Sequence, residues 1–265
     1  MRGGGGVWRK GSGIAVTGRV RMKGIEIVRE NPMSFVIHFR EEDAFSLALE
    51  DFVKICGFKH ESKKHKKMFE SAMKIREQGI YKVDIKALLS VYGPDIIHEN
   101  YLEVDGIKLY CDALIYLDRE KINKVLCYIM TIGECGCESG ELMDRLYADL
   151  WGTAYVNASY ELFREEIHSR YIKGSDKADE NRLMLSDAFG PGYYGMPTEE
   201  MKNFFKIMDA EKIGVKCRPS FIMTPLKSCA GILFVMEKGA RVPEEHCKHC
   251  AGNSKGCGLC HMKQA

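Results

Sequence analysis

The sequence predicts an α+β fold, a twisted, mainly antiparallel sheet flanked by helices. Three observations predict it. Leu102 and Val104 precede Asp105-Gly106 and Ile107 and Leu109 follow it, the pattern of a tight hairpin whose two central residues tolerate positive φ. Apolar runs bounded by turn residues, Val125 to Ile132 and Gly231 to Met236, are too short for free helices and read as strands. Longer stretches repeat apolar residues every three or four positions and read as helices laid against that sheet.

In chain order, residues 1–21 hold four consecutive glycines, a Gly-Ser-Gly and scattered basic residues, with too little patterned apolar content to order themselves. A disordered Gly-rich tail is expected, either a start-site artefact before Met22 or a basic arm for an acidic partner. Ser34 to Phe39 alternates Phe35, Ile37 and Phe39 with Val36 and His38, the period of a half-buried strand. Ala44 to Cys56 has helical spacing and stops at Gly57, with Cys56 as a core residue. Lys59 to Glu77 is a basic amphipathic helix whose grouped Lys63, Lys64, Lys66 and Lys67 form either a solvated face or a docking surface for an acidic protein. Val83 to Val91 reads as a short helix closed by Gly93-Pro94.

Cys135 and Cys137 flank Gly136 in a thiol-bearing turn with a possible redox or ligand role. Ser139 opens a helix reaching about Tyr171, with a stripe of Leu142, Leu146, Leu150, Ala154, Ala158, Leu162 and Ile167 and with Gly152 offering close approach to another backbone. From Phe189 the chain reads Gly-Pro-Gly-Tyr-Tyr-Gly-Met-Pro, in which the glycines open unusual backbone angles and Pro191 and Pro197 fix theirs, so a shaped loop is expected. A helix follows, with Thr198 as its cap, Met201, Phe204, Phe205 and Met208 on one face, and Gly214 as its stop.

Composition bounds the function classes. A formal net charge of +2 gives no sign of a nucleic-acid surface. No apolar run reaches membrane-spanning length and the N-terminus lacks the apolar core of a secretory signal, so a cytoplasmic location is the default expectation. Eleven cysteines without an export signal point to thiols, metal or cluster ligation rather than disulfides. Four of them form Cys247-x-x-Cys250 and Cys257-x-x-Cys260, pairs close enough to converge on one centre. The six-residue gap favours a [4Fe-4S] cluster over the longer-spaced zinc ribbons, while His246, His249 and His261 keep zinc as the alternative and a tail with adventitious thiols as a third reading. One domain over 22–240, with a cysteine-rich tail over 241–265, is the expected organisation.

The pattern Pro-Gly-Tyr-x-x-x-Pro, then Asp-Ala-Glu-Lys-Ile-Gly-Val, then Ser-Phe-x-Met-x-Pro-x-x-Ser-x-x-Gly resembles the activation (reactivation) domain of cobalamin-dependent methionine synthase in its stand-alone form. Its fixed points are Gly192, Tyr193, Pro197, Gly214, Ser220, Met223, Pro225, Ser228 and Gly231. The arrangement of Asp149, Gly152 and Glu161 extends the resemblance to the long helix. Interleaved helices and strands alone would also permit an α/β sheet, so the antiparallel choice rests on the hairpin and on this resemblance. The resemblance implies a domain that binds S-adenosylmethionine and places it over the cobalamin of a partner while an electron reduces the cobalt. It implies further that Glu161 contacts the amino group of that ligand and that Tyr193, after Gly192, lies beside the corrinoid. The family's arginine, which would fork onto the ligand's carboxylate, falls on Ala188; this residue has no donor, so S-adenosylmethionine binding is in question unless Arg182 or Lys227 substitutes.

Two functional readings follow. In the first, the chain reductively activates a corrinoid-binding methyltransferase, its tail cluster passing an electron from a ferredoxin or flavodoxin to Co(II). In the second, it is a non-catalytic corrinoid-protein binding or chaperone module whose cysteines hold zinc.

Overall fold

A computed structural model describes residues 24–30, 33–59, 61–77, 83–135, 137, 139–173 and 181–243. Its centre is a six-stranded sheet of order β1 (Gly24–Glu30), β2 (Met33–His38), β3 (Lys86–Tyr92), β6 (Ile122–Thr131), β10 (Ser228–Glu237) and β7 (Leu183–Leu185). Every neighbouring pair is antiparallel, as expected. The sheet is covered on both faces. Phe35, Ile37, Leu89, Leu126, Tyr128, Leu233 and Val235 belong to a core shared with α1 (Glu41–Cys56), α2 (Lys63–Glu77) and α3 (Leu142–His168). Val36, Leu88, Val125, Cys127, Ile129, Ile232 and Phe234 point the other way. There they meet the hairpin of β4 (Tyr101–Val104) and β5 (Ile107–Tyr110), α4 (Met201–Ile207) and the loop around Phe189.

Several expectations hold for local reasons. Asp105 at φ 49° and Gly106 at φ 77° make the hairpin turn, although its strands form a separate two-stranded sheet outside the main one. Gly57 closes α1 at φ 62° by donating to Lys54 O and Val53 O. In α3, Trp151 stacks on Phe52 of α1 at 3.9 Å and donates its indole N–H to Ala72 O of α2, which fixes three helices to one another.

Other expectations give way to tertiary packing. The short helix expected over Val83 to Val91 is the strand β3, because a strand buried on both faces shows a continuous apolar run without a period of two. For the same reason β2 is buried on both faces rather than on one. The stripe expected on α3 applies only to its later turns: Leu142 and Leu146 are exposed, and Tyr147 and Trp151 face the core. Ser139 precedes α3, taking the Glu141 N–H and donating to Asp144. The helix expected from Thr198 to Ile213 is broken after Ile207; Gly214, at φ 74°, caps a separate 3₁₀ turn over Ala210–Ile213. Thr198 makes no capping hydrogen bond.

The register of β10 on β6 places Gly231 opposite Tyr128. A Cβ on Gly231 would lie 2.8 Å from Phe189 O and 2.9 Å from the Tyr128 hydroxyl, so this position admits only glycine without movement of backbone. A Gly231→Ala protein is expected to lose about 1–3 kcal/mol of stability in urea denaturation through overpacking. Gly24→Ala, where a Cβ would meet nothing within 4 Å, serves as the control and is expected to change little.

Candidate functional site

The loop after β7 is where the sequence pattern and the geometry meet. Phe189 forms a two-way backbone bridge with Ile232 of β10, donating at 2.9 Å and accepting at 2.6 Å. Gly190 lies against the same strand, where a Cβ would come within 2.8 Å of Ala230 O. The chain then turns sharply: Tyr193 N–H donates to Gly190 O, Gly192 N–H to Met196 O and Met196 N–H to Tyr193 O. Gly192 at φ 93° and Gly195 at φ 71° supply the positive angles the sequence foresaw, but Tyr194 between them also sits at φ 54°. A left-handed tyrosine costs on the order of 1–3 kcal/mol and persists only where its surroundings hold it.

Those surroundings are explicit. The Tyr194 ring stacks on Phe189 at 4.1 Å, and its carbonyl accepts from Ala113 N–H at 3.2 Å and from the Cys111 thiol at 3.3 Å. The consequence is a division of labour between neighbours: Tyr194 is 5% exposed and Tyr193 is 60% exposed. Gly192 is exposed as well. The loop is therefore a rigid mount that presents one phenol to the outside.

Glu161 stands on the exposed side of α3, in the helical layer, whereas the 192–196 loop packs in the layer across the sheet. Glu161, Gly192 and Tyr193 do not form one hydrogen-bonded cluster among the described residues. One turn along α3, burial pushes the Glu165 carboxyl up, with the Glu161 charge adding to it, so two carboxylates share this helix face. Ala188 is half-buried against the helical core. Of the two candidate substitutes for an arginine there, Arg182 lies 3.8 Å from Glu237, and Lys227 is engaged with α3. Lys227 Nζ is 2.7 Å from Asp149 and donates to Thr153 Oγ1 at 2.9 Å. Its stem crosses Gly152, where a Cβ would be 2.9 Å from Lys227 Cε, so the close approach foreseen at this glycine is a lysine side chain rather than backbone.

Sequence reading passed over Arg164. Its guanidinium donates to Ser186 O at 2.9 Å and to the Tyr160 hydroxyl at 3.3 Å, which puts a cation two residues before Ala188. The signal available in the sequence was its offset of three from Glu161, which places both on one side of a helix.

Cys247, Cys250, Cys257 and Cys260 lie outside the described residues. Among the described residues no group of three or more His, Cys, Asp or Glu is arranged to hold a metal ion. No described helix is long and apolar enough to cross a membrane.

No family model and no curated protein matches the sequence. Among solved structures, the chain is similar to the MetH reactivation domain bound to AdoHcy, with a TM-score of 0.51, 12% sequence identity, and coverage of 83% of this chain and 81% of that one. The two share a fold. At that identity the likeness is one of architecture.

Five of the described thiols are held protonated by burial. Burial raises Cys127, Cys229 and Cys135 from 9.0 to about 12, with the Lys227 charge pulling against it at Cys135. Burial raises Cys56 and Cys111 to about 11. Alkylation of Cys135 and Cys229 in the native protein is expected to be on the order of a hundredfold slower than in urea, read by peptide mass mapping. Because the folded state holds these protons more tightly, their contribution to stability is complete below the unfolded value of 9.0 and is lost as pH rises toward about 12. Melting temperature is therefore expected to fall above about pH 9, and Cys229→Ala should flatten that fall.

Proposed function

We propose that this chain is a reactivation-type accessory of a corrinoid-dependent methyltransferase, docking on the corrinoid-bearing partner with the Gly192–Tyr193 corner. The observation that carries this reading is the buried, left-handed Tyr194, which turns Tyr193 outward on a fold shared with the MetH reactivation domain. Backbone strain held in place by packing is retained where a side chain must be presented in one direction. An exposed phenol on a rigid mount gives an aromatic contact at low conformational cost.

The cysteine-rich tail over 241–265 is proposed as the electron entry. Cys247, Cys250, Cys257 and Cys260 would hold a [4Fe-4S] cluster, which supplies one-electron chemistry at low potential. Reduction of Co(II) to Co(I) takes one electron, which a ferredoxin or flavodoxin would provide. Zinc in the same four thiolates would make the chain a binding module instead.

The AdoHcy held by the solved neighbour supports a related ligand here. Ala188 has no donor for its carboxylate, and Lys227 is occupied by Asp149 and Thr153. The residues proposed to hold it are Glu161, for the ammonium, and Arg164, for the carboxylate, both on α3.

Protein prepared without oxygen is expected to contain iron and sulfide and to show broad visible absorbance that bleaches with dithionite, diminished in Cys257→Ser. Mixed with a corrinoid protein in the Co(II) state and a reduced ferredoxin, it should accelerate loss of the Co(II) spectrum. Tyr193→Ala should weaken that association on the order of tenfold without lowering the melting temperature. Colourless protein with stoichiometric zinc would exclude electron transfer, and the absence of association with any corrinoid protein would exclude the whole reading. In calorimetry with S-adenosylhomocysteine, Arg164→Ala should bind roughly tenfold more weakly than the parent, with Arg164→Lys between them.

A further inference from the structure

The corner where α1 passes into α2 carries a concentration of positive charge that the fold does not use. Residues 54–67 contain six lysines, Lys54, Lys59, Lys63, Lys64, Lys66 and Lys67, and one acidic residue, Glu61. All six lysines are exposed, and among the described residues none has an ion-pair partner. Some lysines elsewhere do: Lys86 meets Asp84, Lys121 meets Asp118 and Lys227 meets Asp149. Because the whole chain is only +2, the residues outside this corner sum to a net negative charge.

Local stability cannot explain the arrangement. The first turn of α2 has no acidic residue, so its lysines stand at the end of the helix where the backbone N–H groups are already positive. Lys63 is also three and four residues from Lys66 and Lys67, where like charges repel. Hydrogen bonds and ring packing nevertheless tie the corner's described residues together. Gly57 N–H donates to Lys54 O, Phe58 N–H to Val53 O, and Lys59 N–H to His65 Nδ1 at 2.9 Å. Phe58 packs edge-on against Phe69 at 6.0 Å beneath the lysines. A fixed scaffold holding unmatched like charges is a recognition surface in waiting for the opposite charge.

We infer that this corner docks an acidic protein surface. The apolar side of α2, Phe69, Ala72 and Ile75, is turned into the core, and the exposed Ile55 beside the lysines is too small an apolar surface to enter a lipid boundary. The aromatic residues near the patch are committed to packing and offer no platform for bases, and the net acidic remainder of the chain repels a long phosphate backbone. A compact cluster of carboxylates on a folded partner matches the size and sign of the patch. The surface lies in the helical layer, across the sheet from the Tyr193 loop, and its assignment does not rest on the corrinoid reading.

The test uses the full chain and a fluorescent glutamate-rich peptide at low ionic strength. A variant carrying Lys63→Glu, Lys64→Glu, Lys66→Glu and Lys67→Glu is compared with one of equal net charge carrying Lys202→Glu, Lys206→Glu, Lys212→Glu and Lys216→Glu, positions that are also exposed. The parent is expected to bind with an affinity that falls steeply with added salt. The first variant should lose roughly tenfold or more and the second less than about twofold. Carboxylates in the first turn suit the helix, so the first variant is expected to melt no lower than the parent. Equal losses in both variants, no binding by the parent, a lowered melting temperature in the first variant, or tighter binding of duplex DNA or of phosphatidylserine vesicles than of the peptide would each overturn the inference.

Discussion

The constraint on which the structure depends is the burial of one antiparallel sheet on both of its faces. From Ser228 opposite Thr131 to Met236 opposite Ile122, β10 and β6 contribute alternate side chains to two separate cores. A slip of one residue would exchange those cores, moving Leu233 and Val235 to the hairpin side and Ile232 and Phe234 to the helical side. The register is thus fixed from both directions. It also decides where the loop can land, because Gly231 is set opposite Tyr128 and leaves the gap into which Phe189 O descends. The exposed position of Tyr193 is in this sense a consequence of strand pairing four residues before it, at Phe189.

What was legible in the sequence was whatever short-range chemistry decides. Asp105-Gly106 names its own turn, Gly57 names a helix end, and the alternation around Phe35 and Ile37 names a strand. The glycines of the loop announced its shape, but Tyr194 did not, since nothing local shows that a tyrosine will be held at positive φ by a stack on Phe189 and by donors from Ala113 and Cys111. β3 was misread because Ala87, Leu88 and Leu89 answer to different cores, so their alternation vanishes from the sequence. The Lys227 contacts with Asp149 and Thr153 join residues more than seventy positions apart and could not be anticipated from spacing.

The thiols divide in the same way. Inside the domain cysteine serves as a small apolar side chain, and the cost of ionising Cys127, Cys135 or Cys229 follows from the packing that surrounds them. Pairing of Cys-x-x-Cys units is a property of spacing alone, and it occurs only beyond residue 246. Packing cysteines and ligand-spaced cysteines thus occupy different parts of the chain.

Ala188 gives the last step. If the resemblance alone governed, an arginine would stand there and its absence would leave a ligand carboxylate without a partner. In the structure Ala188 packs partly into the helical core, while the next residue, Phe189, turns to the opposite core. A long cationic side chain at 188 would have to leave that contact or bury its charge, which is costly without a partner. In the site proposed above, Arg164 would meet the need from the other side, its guanidinium being held at Ser186 O and Tyr160 on the helix that carries Glu161. That proposed site would take its cation from a neighbouring helix rather than from the motif position, and a guanidinium, with five donors, can keep its present contacts while offering others.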